Sequence, residues 1–254
     1  MNAPLHAIWR LSPSPVLTEL FARNGLRVQI LDCEHGAYDY ATLLPDLIAC
    51  ERHGGIPLVR ISGRDRVEAQ RCLDLGAQGL VIPQLETVDD FTRVAGWLDH
   101  APAGTRGYNP FVRAYGFSAE AVSPQVRRPW YVPIVETLSA VEAIETIAAI
   151  DRIDAIYVGV YDLSTQLDCP GQMQHPRLLA VIDRIMAVCA RVGRATGLMA
   201  LDPASAQGLA SRGVQLLVHG VDTQRIHQAL AAAQPALDAL VLPAGTPPLR
   251  LPHE

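Results

Sequence analysis

Short runs of β-branched and aliphatic residues alternate along this chain with longer stretches in which apolar residues recur at helical spacing. The runs fall near residues 7–10 (AIWR), 27–32 (RVQILD), 56–61 (IPLVRI), 79–84 (GLVIPQ), 131–136 (YVPIVE), 155–160 (AIYVGV), 195–200 (ATGLMA) and 215–220 (QLLVHG). Most are apolar nearly throughout rather than alternating, as in strands buried on both faces of a parallel sheet. Between them lie helical patterns such as ATLLPDLIACERHG, RDRVEAQRCLDLG and HPRLLAVIDRIMAVCARVG, several stopping at a glycine (Gly54, Gly76, Gly193), as helix C-termini commonly do. Eight such strand–helix units predict closure into a single α/β domain, a (β/α)8 TIM barrel. An open doubly wound sheet is the competing arrangement; no G-x-G-x-x-G follows an early strand, which counts against it.

Two segments interrupt the alternation. Residues 99–130, containing GTRGYNPFVRAYGF, form an insert between strands 4 and 5, helical or extended, and too long for a plain connection; it is expected to be a functional loop. The segment from Pro243 onward (PAGTPPLRLPHE) is a proline-rich tail, so the barrel domain is expected over 1–242 and the tail over 243–254.

Composition narrows the function. With 49% hydrophobic and 19% charged residues the chain is globular, and a net charge of −5 offers no basic face for nucleic acid. No apolar run reaches the length of a membrane span, and the N-terminus MNAPLHAIWRLSPSP lacks the pattern of a secretory signal. Five cysteines (Cys33, Cys50, Cys72, Cys169, Cys189) at irregular spacing, without C-x-x-C, fit a reducing cytoplasm better than a disulfide framework or zinc knuckle. All 21 basic residues are arginine and lysine is absent. That excludes a lysine Schiff base and a lysine-anchored pyridoxal cofactor, and arginine suits two-pronged recognition of carboxylates.

In a barrel the site lies at the C-terminal ends of the strands. The polar residues there are Asp32-Cys33-Glu34-His35, Arg60, Gln84 and Glu136, with Asp162 just beyond the sixth run. Carboxylates, an arginine and a histidine converging from different strands make a kit for metal-assisted acid–base chemistry. Glu136 and Asp162 are the candidate ligands of Mg2+ or Mn2+, which take oxygen donors and leave positions to water and substrate; the alternative is that Glu136 caps a helix and Asp162 is a solvated loop acid. His35, beside two acids, is a candidate proton shuttle, although a lone histidine is more often structural. Arg60 ends an apolar strand and is expected to emerge into the barrel mouth. Cys33 is read as a small core residue rather than a nucleophile.

Taken in order, LDCEHGAYD, PLVRI, CLDLGAQGLVIPQLET, APAGTRG, VRAYG, PIVET and YVGVYDLS resemble the HpcH/HpaI aldolases, from about Ile8 to about Ala231. The resemblance implies a metal-dependent aldolase that cleaves a 4-hydroxy-2-oxo acid reversibly to pyruvate, or a related 2-oxo acid, and an aldehyde through an enolate. It implies that Glu136 and Asp162 hold a divalent cation, that His35 is the acid–base with Asp74 as its partner, and that Arg60 stabilises the enolate oxygen. Arg60 and Asp162, with the residues at positions 134, 160 and 161, would contact substrate. It also implies a homo-oligomer, commonly a trimer-based hexamer, in which Arg106 and Arg113 reach an active site across a subunit contact.

The substrate shell departs from the family pattern. Ile134 stands where glutamine is usual, and Gly159-Val160-Tyr161-Asp162 replaces Gly-Pro-Ser-Asp, with Tyr161 in place of a small residue. Ile134 cannot donate a hydrogen bond, and Tyr161 takes space from the pocket. The leading expectation is therefore aldol chemistry on an altered substrate. The alternative on the same scaffold is a citrate-synthase-like condensing enzyme acting on oxaloacetate and acetyl-CoA in a siderophore-type pathway. A catalytically silent binding protein is a third reading, against which the retained His35, Arg60, Asp74, Glu136 and Asp162 argue.

Overall fold

A computed structural model describes residues 3–118 and 128–246. Eight parallel strands, β1 (Leu5–Arg10), β2 (Val28–Asp32), β3 (Ile56–Arg60), β4 (Gly79–Ile82), β5 (Trp130–Val135), β6 (Ala155–Val158), β7 (Ala195–Met199) and β8 (Leu216–Val221), close in sequence order into a barrel. β1 completes the ring by pairing with β8 as well as β2, with a shift of register between Ala7 and Trp9. The (β/α)8 expectation holds, and all eight strands lie within the predicted runs or a residue or two from them.

Strand alternation divides the apolar residues into two layers. Ala7, Val28, Ile30, Leu58, Val132 and Leu216 are among those filling the barrel. Leu31, Val59, Leu80, Val135, Ile156 and Leu217 face outward, into the helical layer. Because both faces are buried, the strands lack the polar alternation of a one-sided sheet. The outer layer comprises α1 (Pro15–Arg23), α2 (Tyr40–Arg52), α3 (Arg66–Asp74), α4 (Val88–Leu98), the short α5 (Leu138–Glu142) and α6 (Ile144–Ala148), α7 (Val160–Gln166), α8 (Pro176–Arg191), α9 (Pro203–Ser211) and α10 (Asp222–Asp238). Reciprocal caps at Asp39, Thr87 and Asp202 start α2, α4 and α9. Gly54, Gly76 and Gly193 end α2, α3 and α8 at positive φ.

One polar cluster is buried outside the barrel. Arg10 Nε donates to Asp222 Oδ2 at 3.1 Å, and its Nη1 donates to Thr18 and to Gln29 (2.9 Å). Asp222 also accepts the backbone N–H groups of Leu11 and Ser12, both at 3.0 Å. Arg10, Asp222, Gln29, Thr18 and Asp46 are all fully buried. The cluster ties the loop after β1 to α1 and to the first turn of α10. Beyond that turn α10 is solvent-facing: residues 226–246 are exposed throughout.

The insert after α4 lies at the N-terminal ends of the strands. Within it are a cis Ala101–Pro102 bond, a bridge between His100 and Arg106 and a 3-10 turn at Arg113–Tyr115. Its residues 119–127, and the tail from 247 on, fall outside the described residues.

Candidate active site

A cleft of about 390 Å3 opens at the C-terminal ends of the strands, lined among others by Trp9, Asp32, His35, Arg60, Ile134, Glu136, Tyr161 and Asp162. A hydrogen-bonded chain runs round its polar side. Asp32, at the end of β2, is fully buried and receives Trp9 Nε1 at 2.7 Å and Arg60 Nε at 2.8 Å, with Arg60 Nη2 closing a two-pronged pair. Its Oδ1 also accepts the backbone N–H groups of Glu34 and His35, at 2.9 and 3.1 Å. Burial opposes ionisation of Asp32, but the Arg60 hydrogen bonds and charge, with the His35 and Trp9 donors, outweigh it and hold the carboxyl below its ordinary value. Arg60 Nη1 reaches Glu34 at 3.0 Å, and the guanidinium lies 4.8 Å from the Trp9 ring centroid. Arg60 is thus held on three sides.

Glu34 Oε1 accepts from the Gln84 side chain at 2.7 Å, and the Gln84 backbone N–H donates to Glu136 Oε1 at 2.5 Å. Gln84 holds this geometry at φ +59°, a left-handed conformation costly for a side chain of this size and of the kind that clusters at functional sites. Glu136 follows β5 and is buried. Burial, with the negative charges of Asp162 and Glu34, raises its carboxyl to about 7 although Gln84 and Arg60 pull the other way. Gly159 makes the approach of Asp162 feasible: a Cβ there would lie 2.5 Å from the Glu136 Cβ and 2.9 Å from Ile134. Asp162 stands in the first turn of α7, exposed to the cleft.

His35 projects into the cleft mouth with 69% of its side chain exposed, 3.8 Å from Glu34. Ile134 forms part of the cleft wall and is 1% exposed, Val160 is half-buried, and Tyr161 stands at the rim, 51% exposed. Beside these, the Trp9 and Tyr157 rings pack at a tilt of 51° with centroids 5.0 Å apart. Their hydrophobic alternation in β1 and β6 marks them only as barrel filling, so neither stands out as a site residue in the sequence. Asp32 and Gln84 are legible there only as polar strand ends.

Asp74, Arg106 and Arg113 are elsewhere. Asp74 ends α3, which runs antiparallel to the strands, so it lies beside the start of β4 at the opposite end of the barrel from His35. There Arg106 Nη2 donates to Asp74 at 2.8 Å, and Arg113 pairs with Glu51 and donates to the Leu75 carbonyl at 3.0 Å. The pairing of Asp74 with His35 is therefore not made within one chain. A larger hollow of about 830 Å3 lies at this end, lined by Glu51, Arg106, Arg113 and Trp130 among others. Its acid, Glu51, is already paired to Arg113, whereas the smaller cleft gathers carboxylates that face one another; chemistry, not volume, marks the site.

That constellation coincides with a family-wide match. The HpcH/HpaI aldolase/citrate lyase family profile covers residues 6–229. The chain belongs to this family. A 2-keto-3-deoxy-L-rhamnonate aldolase of Klebsiella pneumoniae subsp. pneumoniae is 29% identical over 230 residues, 88% of this chain and 85% of that protein. The crystal structure of an HpcH/HpaI aldolase/citrate lyase family protein from Burkholderia cenocepacia J2315 superposes with a TM-score of 0.88 at 27% identity, covering 93% of this chain and 95% of that one. The citrate synthase SbnG shares the fold at a TM-score of 0.82 and 24% identity, covering 93% and 94%. The chain is thus an enzyme of the class II aldolase type.

Among the described residues no group of three or more histidine, cysteine or acidic side chains is arranged to enclose a metal. The donors that fit a divalent cation are the carboxylates of Glu136 and Asp162, whose mutual repulsion a cation would relieve. Two protein oxygens suit a hard cation that keeps its remaining positions for water and substrate. No helix of the described residues is long and apolar enough to cross a membrane.

Proposed function

We propose that the protein catalyses reversible aldol cleavage of a 4-hydroxy-2-oxo acid to pyruvate, or a related 2-oxo acid, and an aldehyde. The observation that carries this reading is the buried Glu136 carboxyl facing Asp162 in the same cleft as the tethered Arg60. Glu136 and Asp162 would hold Mg2+ or Mn2+, which when bound offsets the charge that builds on the ketone oxygen. Arg60, fixed by Asp32, Glu34 and Trp9, donates N–H groups toward the same oxygen without having to reorganise. His35, free at the mouth, accepts the C4 hydroxyl proton as the C3–C4 bond breaks and returns a proton to C3. Tyr161 and Ile134 shape the pocket where substrate contacts differ from the family pattern.

A citrate-synthase-like condensation is less well supported, because the citrate synthase likeness extends to fold alone while the aldolase relatives match in sequence over most of the chain. The five unpaired cysteines suit a cytoplasmic setting.

The Asp74–His35 partnership fits a homo-oligomer in which one chain presents Asp74, with Arg106 and Arg113, to the cleft mouth of the next. The exposed Tyr108, Phe111 and Phe117 near that cluster support such a contact; a hexamer would satisfy it.

The test is exchange of the pyruvate C3 protons in deuterated water, followed by NMR. Exchange should require a divalent cation and vanish in Glu136→Gln. Full exchange after exhaustive chelation would overturn the reading.

A further inference from the structure

The cleft has a neighbour on the Tyr161 side. A second cavity of about 340 Å3 lies between α8 and α9, and Val160, Tyr161 and Met199 line both. Its wall is apolar: Met173, Leu179, Ile182, Leu198, Leu201 and Leu209. Besides Tyr161, its polar side chains are Gln174, Asp202, Ser205 and Arg212, and the last three are committed. Asp202 and Ser205 satisfy each other in the cap of α9, with Ser205 N–H to Asp202 Oδ1 at 2.7 Å and Asp202 N–H to Ser205 Oγ at 3.1 Å. Arg212, at the far end, is paired with Asp183. The cleft itself adds Ile134, Tyr157 and Val221 to the apolar lining, and its one arginine, Arg60, is held by two carboxylates.

A polyhydroxylated or carboxylate-bearing tail would lose hydrogen bonds to water on entering such a passage and regain few. A hydrocarbon tail would gain by leaving water, and methionine and leucine walls adapt to it.

Taking the aldolase reading as its basis, we propose that the groove between α8 and α9 is the subsite for the aldehyde's tail, and that this tail is a hydrocarbon chain. The substrate class is then a 4-hydroxy-2-oxo acid carrying an alkyl substituent at C4. In the synthetic direction C3 of the pyruvate enolate bonds to the aldehyde carbon, whose oxygen takes up a proton to become the C4 hydroxyl, and no other reactant is consumed. Tyr161, shared by the two cavities, forms the threshold between the reacting carbons and the tail.

Gly208 lines the groove on α9, and a Cβ there would meet nothing within 4 Å. Gly208→Leu therefore sets a bulky side chain at the groove wall without a clash while improving helix propensity. The wild-type protein and this variant, each with Mg2+ or Mn2+, would be assayed for pyruvate addition to acetaldehyde, to linear aldehydes of increasing length, and to hydroxylated and carboxylate-bearing aldehydes of matched length. In the wild type kcat/KM should rise about fourfold per added methylene until the groove is full, and the polar aldehydes should fall below their alkyl counterparts. Gly208→Leu should abolish the rise while leaving acetaldehyde addition and pyruvate C3 proton exchange unchanged. Calorimetry gives an equilibrium counterpart: 2-oxooctanoate, which lacks the C4 hydroxyl and is not cleaved, should bind more tightly than 2-oxobutanoate to the wild type and no more tightly to the variant. Intact proton exchange with a flat length series, a preference for polar aldehydes, or a length series unaltered by Gly208→Leu would each overturn the subsite. Absence of metal-dependent exchange would overturn the aldolase reading itself, and the subsite with it.

Discussion

Replacing Glu136 by glutamine should make the metal-free protein more stable at alkaline pH and no more stable at acid pH. Its carboxyl sits at about 7 instead of its ordinary 4.5, chiefly because it is buried. Below the lower value both folded and unfolded states hold the proton, and the group contributes nothing to stability. As pH rises from there toward 7 the unfolded chain ionises first, so the folded state loses ground. Above 7 the penalty is complete, on the order of 3 kcal/mol at 1.36 kcal/mol per factor of ten. Glutamine keeps the oxygen that accepts the Gln84 N–H but has nothing to ionise. The difference between variant and wild type should therefore be small near pH 5 and grow to about 3 kcal/mol at pH 8. Urea unfolding of both proteins, stripped of metal and compared at one concentration from pH 5 to 8, measures it directly. Saturating Mg2+ or Mn2+ should reverse the order, because only the wild type gains binding energy. A difference that stays flat with pH, or a variant less stable than the wild type at pH 8, would refute the reasoning.

Exhaustive chelation should abolish pyruvate C3 proton exchange, and borohydride added with substrate should leave no covalent adduct, since the chain has no lysine; mass spectrometry reads the second result. His35→Ala should lower kcat by roughly 100- to 10,000-fold without moving the melting temperature, because its side chain is mostly in water. Asp222→Asn should cost about 3 kcal/mol in urea unfolding by leaving Arg10 short of charge in a buried cluster. If Asp74 serves a neighbour's His35, mixing inactive Asp74→Ala and His35→Ala proteins under exchanging conditions should restore activity, and mixtures that stay silent would tell against the shared site.

The sequence disclosed most of the barrel because strands covered on both faces leave long apolar runs, and because Gly54, Gly76 and Gly193 occupy left-handed positions that other residues avoid. Glu136 was legible for a related reason, since a carboxylate closing an apolar strand has nowhere to point but the mouth, and Asp162 because it stands just beyond the end of another strand. Asp74 shows the limit. Its place in a motif says nothing about which end of the barrel it occupies, and only the antiparallel run of α3 decides that. Trp9 and Tyr157 were hidden by their own hydrophobicity, and Gln84 by a backbone angle that the sequence gives no sign of. The insert at 99–130 reads as a functional loop by length alone; its described residues follow a helix rather than a strand and so fall at the far end. The course of α10 beyond its first turn was equally unreadable, because its alanines and leucines would suit a packed helix just as well.

The cleft divides its labour by sector. Everything that would handle charge comes from the ends of β2, β3, β4 and β5 and from the turn after β6, braced by hydrogen bonds that run from Trp9 to Glu136. The groove is built almost wholly from the helices and loops that succeed β6 and β7, and only Val160, Tyr161 and Met199 belong to both cavities. Inheritance can therefore act on the two sectors separately. With the groove as the tail's subsite, substitutions in α8, α9 and their loops would alter the tail one side chain at a time and leave the proton-handling half in place. A lineage built this way can change its diet without relearning its chemistry.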